Sequence, residues 1–534
     1  MKKSITKNYI YNLAYQLLAI VLPIITTPYI SRVLGAENIG IYSYTISIVT
    51  YFITFGSLGI ALYGQREIAY IQDNEKERSK TFWEIIILRF ITLFLSMILF
   101  YYAFVYRDNT YSMYYKILLL ELMANMIDIS WFFSGLEEFK KTVSRNLIIK
   151  LISVISIFIF IKTKNDLIKY FFIYVLANFM GNLSLWFYLP KYIKKVDIKE
   201  LKIWKHLKPT IGLFIPQIAI QVYTLLDKTM IGVIVSDKSE VGFYEQAQKI
   251  VKILLTIITS LGTVMMPRIA NTYANGNKEK IKEYMKKSFC MVFLLGFPLI
   301  FGLISVAPNF VPVFFGKGYD KVSILMQVIS PVILFIGLSN VTGTQYLLPT
   351  KRQKQYTISV VCGAISNFIL NSILIKKFGS VGASVGTVIA EFIVMSIQMY
   401  VIRNEFEIKK IIKLSVNYII AAIIMFSCCM LVNIFHLSNV MNVMLKVIIG
   451  GIVYGTILLI MKDEFLKELI EKVLNKIRRK KQNEIWLSYS WGRSFWINFC
   501  IWSKQKRKKC TSNWQKRKCC RQHIYRRNRP NKCT

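Results

Sequence analysis

The chain has 534 residues, of which 54% are hydrophobic, 69 are Lys or Arg and 29 are Asp or Glu, giving a formal net charge of +40. With a mean hydropathy of +0.43, it holds too few polar groups to cover a water-soluble fold. The composition therefore excludes a soluble globular protein and predicts a polytopic integral membrane protein.

Apolar runs separated by short charged loops follow one another along most of the chain. A helix needs about 20 predominantly apolar residues to cross the hydrocarbon core of a bilayer. On this criterion the sequence predicts an all-α membrane protein with fourteen transmembrane helices, near 9–31, 39–63, 83–106, 114–135, 146–162, 167–190, 211–235, 241–264, 288–307, 321–347, 357–375, 381–402, 413–435 and 441–461.

Lys and Arg are concentrated in alternate loops, such as 191–208 and 268–287. The positive-inside rule places such loops, and with them both chain termini, in the cytoplasm. These loops are expected to lie against anionic membrane lipids, so the net charge requires no nucleic acid as a partner.

An internal repeat relates the second predicted helix to the eighth. Residues recur at a spacing of 201 or 202 positions, and the matched pairs are Gly40 and Gly242, Tyr42 and Tyr244, Arg66 and Arg268, Ala69 and Ala270. Six helices separate the copies, so both halves enter the membrane in the same orientation, as in a parallel repeat. We therefore expect five regions: a first six-helix lobe (1–208), a second six-helix lobe (209–404), two additional helices (405–464), a basic cytoplasmic end (465–485) and the remainder (486–534).

The seventh predicted helix carries Asp227 and Lys228 side by side in an otherwise apolar segment. A charge inside the membrane costs about 2.5 kcal/mol or more unless it faces protein or water. Gln217, Gln221, Thr224 and Lys228 fall on one helical stripe. This stripe is either a helix–helix seam joined by hydrogen bonds or the lining of a water-filled cavity, and the two adjacent charges favour the cavity.

Acidic residues inside other predicted helices are candidates for binding a coupling ion. Glu121, Asn125 and Asp128 have helical spacing in the fourth segment, and Glu391 lies within the twelfth. Carboxylates that face a cavity can take up and release H+ or Na+. Asp128 is the preferred coupling residue, with Glu391 and Asp227 as the other candidates, and a structural ion pair with a lysine is the alternative role.

Signals for cofactors and catalysis are missing from the sequence. It contains no P-loop, and the cysteines before residue 484 lie in apolar segments without metal-ligand spacing. We therefore expect no cofactor, no metal and no catalytic residue. His206 and His436 fall in predicted loops and are expected to be solvated.

Four longer motifs indicate a family: TPYISRVLGAENIGIYSY at 27–44, SWFFSGLEEF at 130–139, LDKTMIG at 226–232 and GSVGASVGTVIAE at 379–391. With this number of helices they resemble the polysaccharide-transporter branch of the multidrug/oligosaccharidyl-lipid/polysaccharide exporter superfamily. The resemblance implies a flippase that moves an undecaprenyl-diphosphate-linked oligosaccharide repeat unit across the bacterial cytoplasmic membrane, for capsule, O-antigen or exopolysaccharide synthesis. It also implies alternating access between two lobes, with polysaccharide polymerase and chain-length proteins as partners.

A diphosphate cargo assigns roles to the charged residues of the seventh and eighth helices. The cargo is anionic, so its path needs cations together with amide and hydroxyl groups for the sugars. Lys228, Lys249 and Lys252 supply the cations, and Gln217, Gln221 and Glu245 complete the predicted cavity lining. The alternative is an internal ion pair between Glu245 and Lys249, with Lys252 extending to the membrane interface.

Two other functions compete with the flippase. A cation-coupled multidrug exporter of the same superfamily typically has an acidic cavity, whereas the lysines here favour an anionic cargo. A membrane polysaccharide polymerase needs catalytic groups in a sizeable loop, and the longest predicted outer loop is 308–320. We therefore expect a transporter that is not an enzyme.

The tail from Trp486 to Thr534 differs in composition from the rest, with five of the nine Cys, five of the nine Trp and 14 Lys or Arg. Back-translated and read one base downstream from Asn483, it can encode M-K-Y-x-Y-L-I-V-G-A-G-L-F-G-S. This is a strand followed by a G-x-G-x-x-G turn, and it looks like the start of a UDP-galactopyranose mutase. We therefore expect residues 486–534 to be a disordered translation artefact, read through a UGA stop codon at Trp486. The alternative is a basic tail on anionic lipid.

Overall fold

The computed structural model describes the backbone of residues 5–107, 110–472 and 474–475. Side chains are described from Val21 onwards in these ranges, except at 139, 140, 198, 215–217, 219, 220 and 222. The chain divides into two units, Met1–Leu458 and Leu459–Thr534. In the second unit the described residues are helical at 459–460, from 464 to 472 and at 474–475. The predicted artefact at 486–534 lies outside the described residues.

Sixteen α-helices form the described fold: α1 Ile5–Ser57, α2 Ile60–Tyr70, α3 Glu75–Phe100, α4 Ser112–Met126, α5 Ser130–Gly135, α6 Phe139–Phe160, α7 Leu167–Trp186, α8 Leu207–Ile234, α9 Ser239–Ala274, α10 Lys278–Phe314, α11 Asp320–Ile329, α12 Val332–Ser339, α13 Gln353–Phe378, α14 Ser380–Ile402, α15 Ile408–Leu431 and α16 Asn439–Ile460. Short π-helical segments extend α3 through Tyr101–Tyr106 and α12 through Asn340–Leu347. The described residues contain no β-strand.

In the part of the chain that the structure describes, twelve helical stretches are long and apolar enough to cross a membrane. The first, Val21–Tyr70, covers the end of the predicted helix 9–31 and all of the predicted helix 39–63, because α1 runs on to Ser57 with only Gly35 outside helical geometry and α2 follows after a short turn. The predicted helix 211–235 coincides with α8, which is a further helix outside these twelve stretches. Each of the fourteen predicted segments therefore falls on helix, and the all-α membrane fold is confirmed.

Turns between two α-helices interrupt three of the predicted segments: 39–63, 114–135 and 321–347, the last of which breaks at Ser330 and Pro331 between α11 and α12. The segment 39–63 breaks between α1 and α2, where Leu58 and Gly59 have φ values of 45° and 71°. The segment 114–135 breaks between the end of α4 at Met126 and the start of α5 at Ser130. Asp128 lies in this second break, so the prediction that it shares a helical stripe with residues 121 and 125 is wrong.

The helices α1 and α9 cross where the repeated glycines lie. A Cβ atom on Gly40 would lie 1.7 Å from the carbonyl oxygen of Lys238, and one on Gly242 would lie 2.0 Å from the carbonyl oxygen of Ala36. Only glycine lets two backbones approach so closely. Ala36 and Lys238 are themselves 202 positions apart, so the contact is reciprocal, which is the pattern that a two-fold relation between the halves produces.

An aromatic core fixes the first half of the chain near the SWFFSG motif. Trp131 and Phe132 are buried against Phe82 of α3 and against the backbone of Gly64 in α2. This motif therefore serves packing between α2, α3 and α5 rather than lining a cavity.

His206, at the start of α8, is buried, so the prediction that it is solvated is wrong. Its Nδ1 atom lies 2.7 Å from the hydroxyl of Tyr63, and its Nε2 atom lies 2.9 Å from a carboxylate oxygen of Glu84. Burial outweighs the adjacent carboxylate and lowers the pKa of His206 below its usual value. The contacts attach the connection between α7 and α8 to α2 and α3.

Candidate functional site

The adjacent residues Asp227 and Lys228 of α8 point to different parts of the protein. Successive side chains of an α-helix are about 100° apart around its axis, so neighbours in sequence need not share an environment. Lys228 faces α9, where it forms an ion pair with Glu245. Asp227 faces α13 and α14, where it accepts hydrogen bonds from Asn371 and Thr387. One helix thus contributes to two charged sites.

The first site is a cluster of cations around Glu245, which we call the lysine cluster: Lys228, Glu245, Lys249 and Lys252. The side chains of Lys228 and Glu245 are 16% and 14% exposed, whereas that of Lys249 is 38% exposed, with its Nζ atom 3.7 Å from Glu245. Lys252 is exposed and has no ion-pair partner among the described residues. The predicted Glu245–Lys249 pair is therefore present. Two ammonium groups pair with one carboxylate, and that of Lys252 lies close enough to Glu245 to interact with it electrostatically.

The lysine cluster faces the first half of the chain. Glu245 lies close enough to Tyr42 of α1 and Tyr170 of α7 to interact with them electrostatically. The rings of Tyr42 and Tyr170 have centroids 4.7 Å apart, and Tyr174 packs against Tyr42 at 5.8 Å. Cations from the second half and phenol groups from the first half therefore lie together where the halves meet.

The second site surrounds Asp227, and we call it the Asp227 network. One oxygen of this buried carboxylate accepts hydrogen bonds from the hydroxyls of Tyr244 and, at 2.8 Å, Thr387. Its other oxygen accepts from the amide of Asn371 at 2.7 Å, and this amide also donates to Asn367 at 3.1 Å. No Lys or Arg pairs with Asp227 within the described part of the chain. The site holds a carboxylate among neutral oxygen and amide groups.

Glu391 of α14 lies beside this network. It is 7% exposed, and its Oε1 atom accepts a hydrogen bond of 2.7 Å from the hydroxyl of Tyr223. Glu391 and Asp227 are close enough to repel one another electrostatically. Two buried carboxylates whose hydrogen-bond partners are neutral thus lie inside the second half.

Asp128, in the first half, has a different environment. Its Oδ2 atom lies 3.7 Å from the guanidinium of Arg89, which is itself buried, and its Oδ1 atom accepts a hydrogen bond from the backbone N–H of Ser130. Asp128 thus has a counter-charge and a hydrogen bond to the first residue of α5. Glu121, which is buried, instead accepts hydrogen bonds from the amide of Asn178 at 3.1 and 3.2 Å.

The polar stripe of α8 is described only in part. Gln221 is half-buried and Thr224 is exposed, on the same helical face as Lys228. Gln217 lies on the same stripe, but its side chain is outside the described residues. The described members continue the lysine cluster with neutral hydrogen-bonding groups.

Lys238 lies at the crossing of α1 and α9, in the connection that precedes α9. Its ammonium donates to the carbonyl oxygens of Gly232, at 2.5 Å, and Val235, at 3.2 Å, and lies 5.1 Å from the centre of the Tyr44 ring. Burial lowers the pKa of Lys238 below its usual value. Of these contacts, the one with Tyr44 joins the second half of the chain to the first.

Our sequence reasoning missed the residues that hold Asp227. Asn367 and Asn371 are spaced i, i+4 in an apolar helix, and Thr387 belongs to the GSVGASVGTVIAE motif, so both signals were present. Tyr244 occurs in the repeat, but nothing local connects it with a carboxylate. The membrane spans, the lysine cluster and the buried carboxylates are together the features of a polytopic membrane transporter.

Comparison with known proteins identifies the family. A sequence profile for polysaccharide biosynthesis proteins matches residues 5–273, about half of the chain, and a MatE profile matches residues 213–373. The chain belongs to the polysaccharide biosynthesis protein family. The predicted membership of the polysaccharide-transporter branch of its superfamily is thereby confirmed.

Two relatives and one solved structure cover most of the chain. A protein of Escherichia coli (strain K12) named as an O-antigen transporter is 27% identical over 407 residues, which are 76% of this chain and 98% of the relative. A protein of the same name from Shigella dysenteriae is 22% identical over 377 residues, 70% of this chain and 93% of the relative. The fold is similar to that of the lipid II flippase MurJ in an inward closed conformation, with a TM-score of 0.69 and 18% identity over 86% of this chain and 100% of that one.

Proposed function

We propose that the protein is a flippase for undecaprenyl-diphosphate-linked oligosaccharide repeat units in the bacterial cytoplasmic membrane. The family, the relatives named as O-antigen transporters and the fold shared with a lipid II flippase all support this proposal. The repeat units serve capsule, O-antigen or exopolysaccharide synthesis. The protein acts as a transporter and not as an enzyme, with both termini in the cytoplasm and with polysaccharide polymerase and chain-length proteins as partners.

The observation that carries the proposal is the composition of the lysine cluster. Three ammonium groups lie around the single carboxylate of Glu245 and only two of them pair with it, so the cluster has an excess of positive charge inside a membrane protein. Such an excess is costly unless water or an anionic ligand compensates it. A diphosphate meets this need, and Lys249 and Lys252, being more exposed than Lys228, are its first contacts.

The sugars of the cargo require neutral hydrogen-bonding groups beside the diphosphate site. Gln221 and Thr224 extend the stripe of α8 away from Lys228, and the phenols of Tyr42 and Tyr170 lie close to Glu245. Aromatic rings that carry hydroxyl groups offer both stacking surface and hydrogen bonds to a sugar. The cavity thus combines a cationic end with a polar, aromatic wall.

An ion gradient drives the transport cycle, and the coupling ion binds in the second half of the chain. Asp227 is the preferred coupling residue and Glu391 its neighbour, because both are buried with neutral partners. A bound H+ or Na+ neutralises this pair of carboxylates and favours one arrangement of α8, α13 and α14. Asp128 becomes the weaker candidate, since Arg89 already compensates its charge.

Alternating access then consists of movement between two lobes, 1–208 and 209–404, with the helices of 405–464 attached to the second. The reciprocal contact of Gly40 and Gly242 supports a two-fold relation between the lobes. Because α1 and α9 touch there, that crossing closes the cavity on one side of the membrane.

The export test replaces Lys249 and Lys252 together by Gln, in a bacterium whose polysaccharide export depends on this protein. The double variant is expected to reach the membrane in normal amounts and to export no polysaccharide. The matched control replaces Lys376 and Lys377, two exposed lysines in the last turn of α13, by Gln as well. This control variant is expected to export polysaccharide normally. Normal export by a stably expressed Lys249/Lys252 variant contradicts the proposed site.

A cation-coupled multidrug exporter is the second candidate, favoured by the MatE profile over residues 213–373 and by the Asp227 network. A cationic drug would be repelled by the lysine cluster, which is the argument against it. Susceptibility to cationic drugs after deletion of the protein distinguishes the two functions. Deletion of a flippase leaves susceptibility unchanged, whereas deletion of a multidrug exporter lowers resistance.

A further inference from the structure

A basic cleft lies between α10 and α15, apart from both charged sites described above. It has a volume of about 880 Å³ and opens where the first turns of α10 and α15 meet the connection after α14. Five cations line it: Lys282, Lys286, Arg403, Lys410 and Lys413. We refer to it as the basic cleft.

The positive charge of the basic cleft is only partly compensated. Of its two carboxylates, Glu405 pairs with Arg352, which does not line the cleft, at 2.5 Å, and Glu407 pairs with Lys410 of the cleft itself at 2.7 Å. Lys282 pairs with Glu279 at 2.8 Å. The pairing with Glu405 raises the pKa of Arg352 above its usual value. Lys286 and Lys413 are exposed and have no ion-pair partner among the residues that the structure describes. The cleft therefore presents free ammonium groups to a ligand.

The floor of the basic cleft is apolar. Phe289, Phe406 and Ile411 are buried at its base, and the apolar parts of α10 and α15 continue from there into the membrane. A ligand that fits must carry negative charge at one end and hydrocarbon at the other. Basic pockets at the ends of transmembrane helices recognise lipid phosphates in this way.

We propose that the basic cleft binds the phosphate headgroup of an anionic membrane phospholipid, with an acyl chain along the apolar surface below it. A membrane lipid fits better than the transported cargo, because α15 packs chiefly against α10, whereas the lysine cluster lies on α8 and α9. The bound lipid joins the additional helices to the second lobe at the membrane interface. This site is independent of the proposed transport function.

The test measures binding of diphosphatidylglycerol to the purified full chain in detergent by native mass spectrometry. Replacing Lys286 and Lys413 together by Gln is expected to weaken binding by about 30-fold. Each lysine near an anionic lipid surface contributes about 1 kcal/mol, and two such contributions correspond to a change of about 30-fold in Kd. The matched control replaces Lys278 and Lys280, which are exposed in the first turn of α10 but do not line the cleft. It is expected to bind as the unmodified protein does.

Two further binding measurements identify the ligand. Phosphatidylcholine, which has no net charge, is expected to bind at least tenfold more weakly than diphosphatidylglycerol, and inorganic pyrophosphate is expected not to displace the lipid. Equal loss of binding in the Lys286/Lys413 and Lys278/Lys280 variants overturns the proposal, because it means a diffuse charge effect. The proposal is also overturned if phosphatidylcholine binds as tightly as diphosphatidylglycerol, or if pyrophosphate fully displaces the bound lipid.

Discussion

Replacement of Gly242 by Ala tests the crossing of α1 and α9. The added Cβ would lie 2.0 Å from the carbonyl oxygen of Ala36, whereas a carbon and an oxygen in contact need about 3.3 Å. The helices must therefore separate by roughly 1.3 Å, because backbone atoms on both sides prevent a side-chain adjustment. Overpacking of this kind costs about 1 to 3 kcal/mol. The closed crossing should lose population by about 5- to 150-fold relative to the open one.

Spin labels at Glu37 and Asp237 report this separation, since both side chains are exposed on either side of the crossing. In lipid nanodiscs, double electron–electron resonance should show the short distance of the closed crossing in the unmodified protein and a longer one in the Gly242→Ala variant. Gly302→Ala is the matched control, because no atom lies within 4 Å of its added Cβ. Identical distance distributions for the Gly242→Ala variant and the unmodified protein would refute the reasoning.

Three further predictions concern other parts of the chain. Asp227→Asn should make transport indifferent to imposed H+ and Na+ gradients, while Asp128→Asn retains the response; the opposite result returns the coupling role to Asp128. Because burial lowers the pKa of His206 in the folded state, the unfolded chain takes up the proton first as pH falls through about 6.5. Thermal stability should therefore fall from pH 7.5 to pH 5.5, and His206→Gln should flatten this decline; an unchanged slope contradicts the assignment. The cellular protein should end at Ile485 by intact mass, with UGA as the following codon; a chain that reaches Thr534 contradicts the predicted artefact.

The membrane helices were predictable because their signal is local. A run of about 20 apolar residues identifies a span without knowledge of its neighbours. The lysine cluster was predictable for the same reason, since Glu245 and Lys249 are spaced i, i+4 on one helix. The breaks at Leu58–Gly59 and after Met126 were not predictable, because mostly apolar residues continue on both sides of each break and hide the turn.

Partners from distant parts of the chain could not be predicted. Asp227 is held by Asn371 and Thr387, which are 144 and 160 positions away. His206 is buried by Glu84, 122 positions before it, although a basic loop surrounds it in sequence. These pairings depend on how helices pack, and a single sequence carries no direct signal of that packing.

The flipping of a lipid-linked oligosaccharide by the purified protein tests the central claim most directly. Proteoliposomes receive a fluorescent undecaprenyl-diphosphate oligosaccharide in one leaflet, and an impermeant quencher reports its arrival in the other. We predict that the unmodified protein equilibrates the lipid between leaflets and that the Lys249→Gln/Lys252→Gln variant does not, although it remains folded. Movement no faster than in protein-free vesicles, under H+ or Na+ gradients of either direction, would contradict the account.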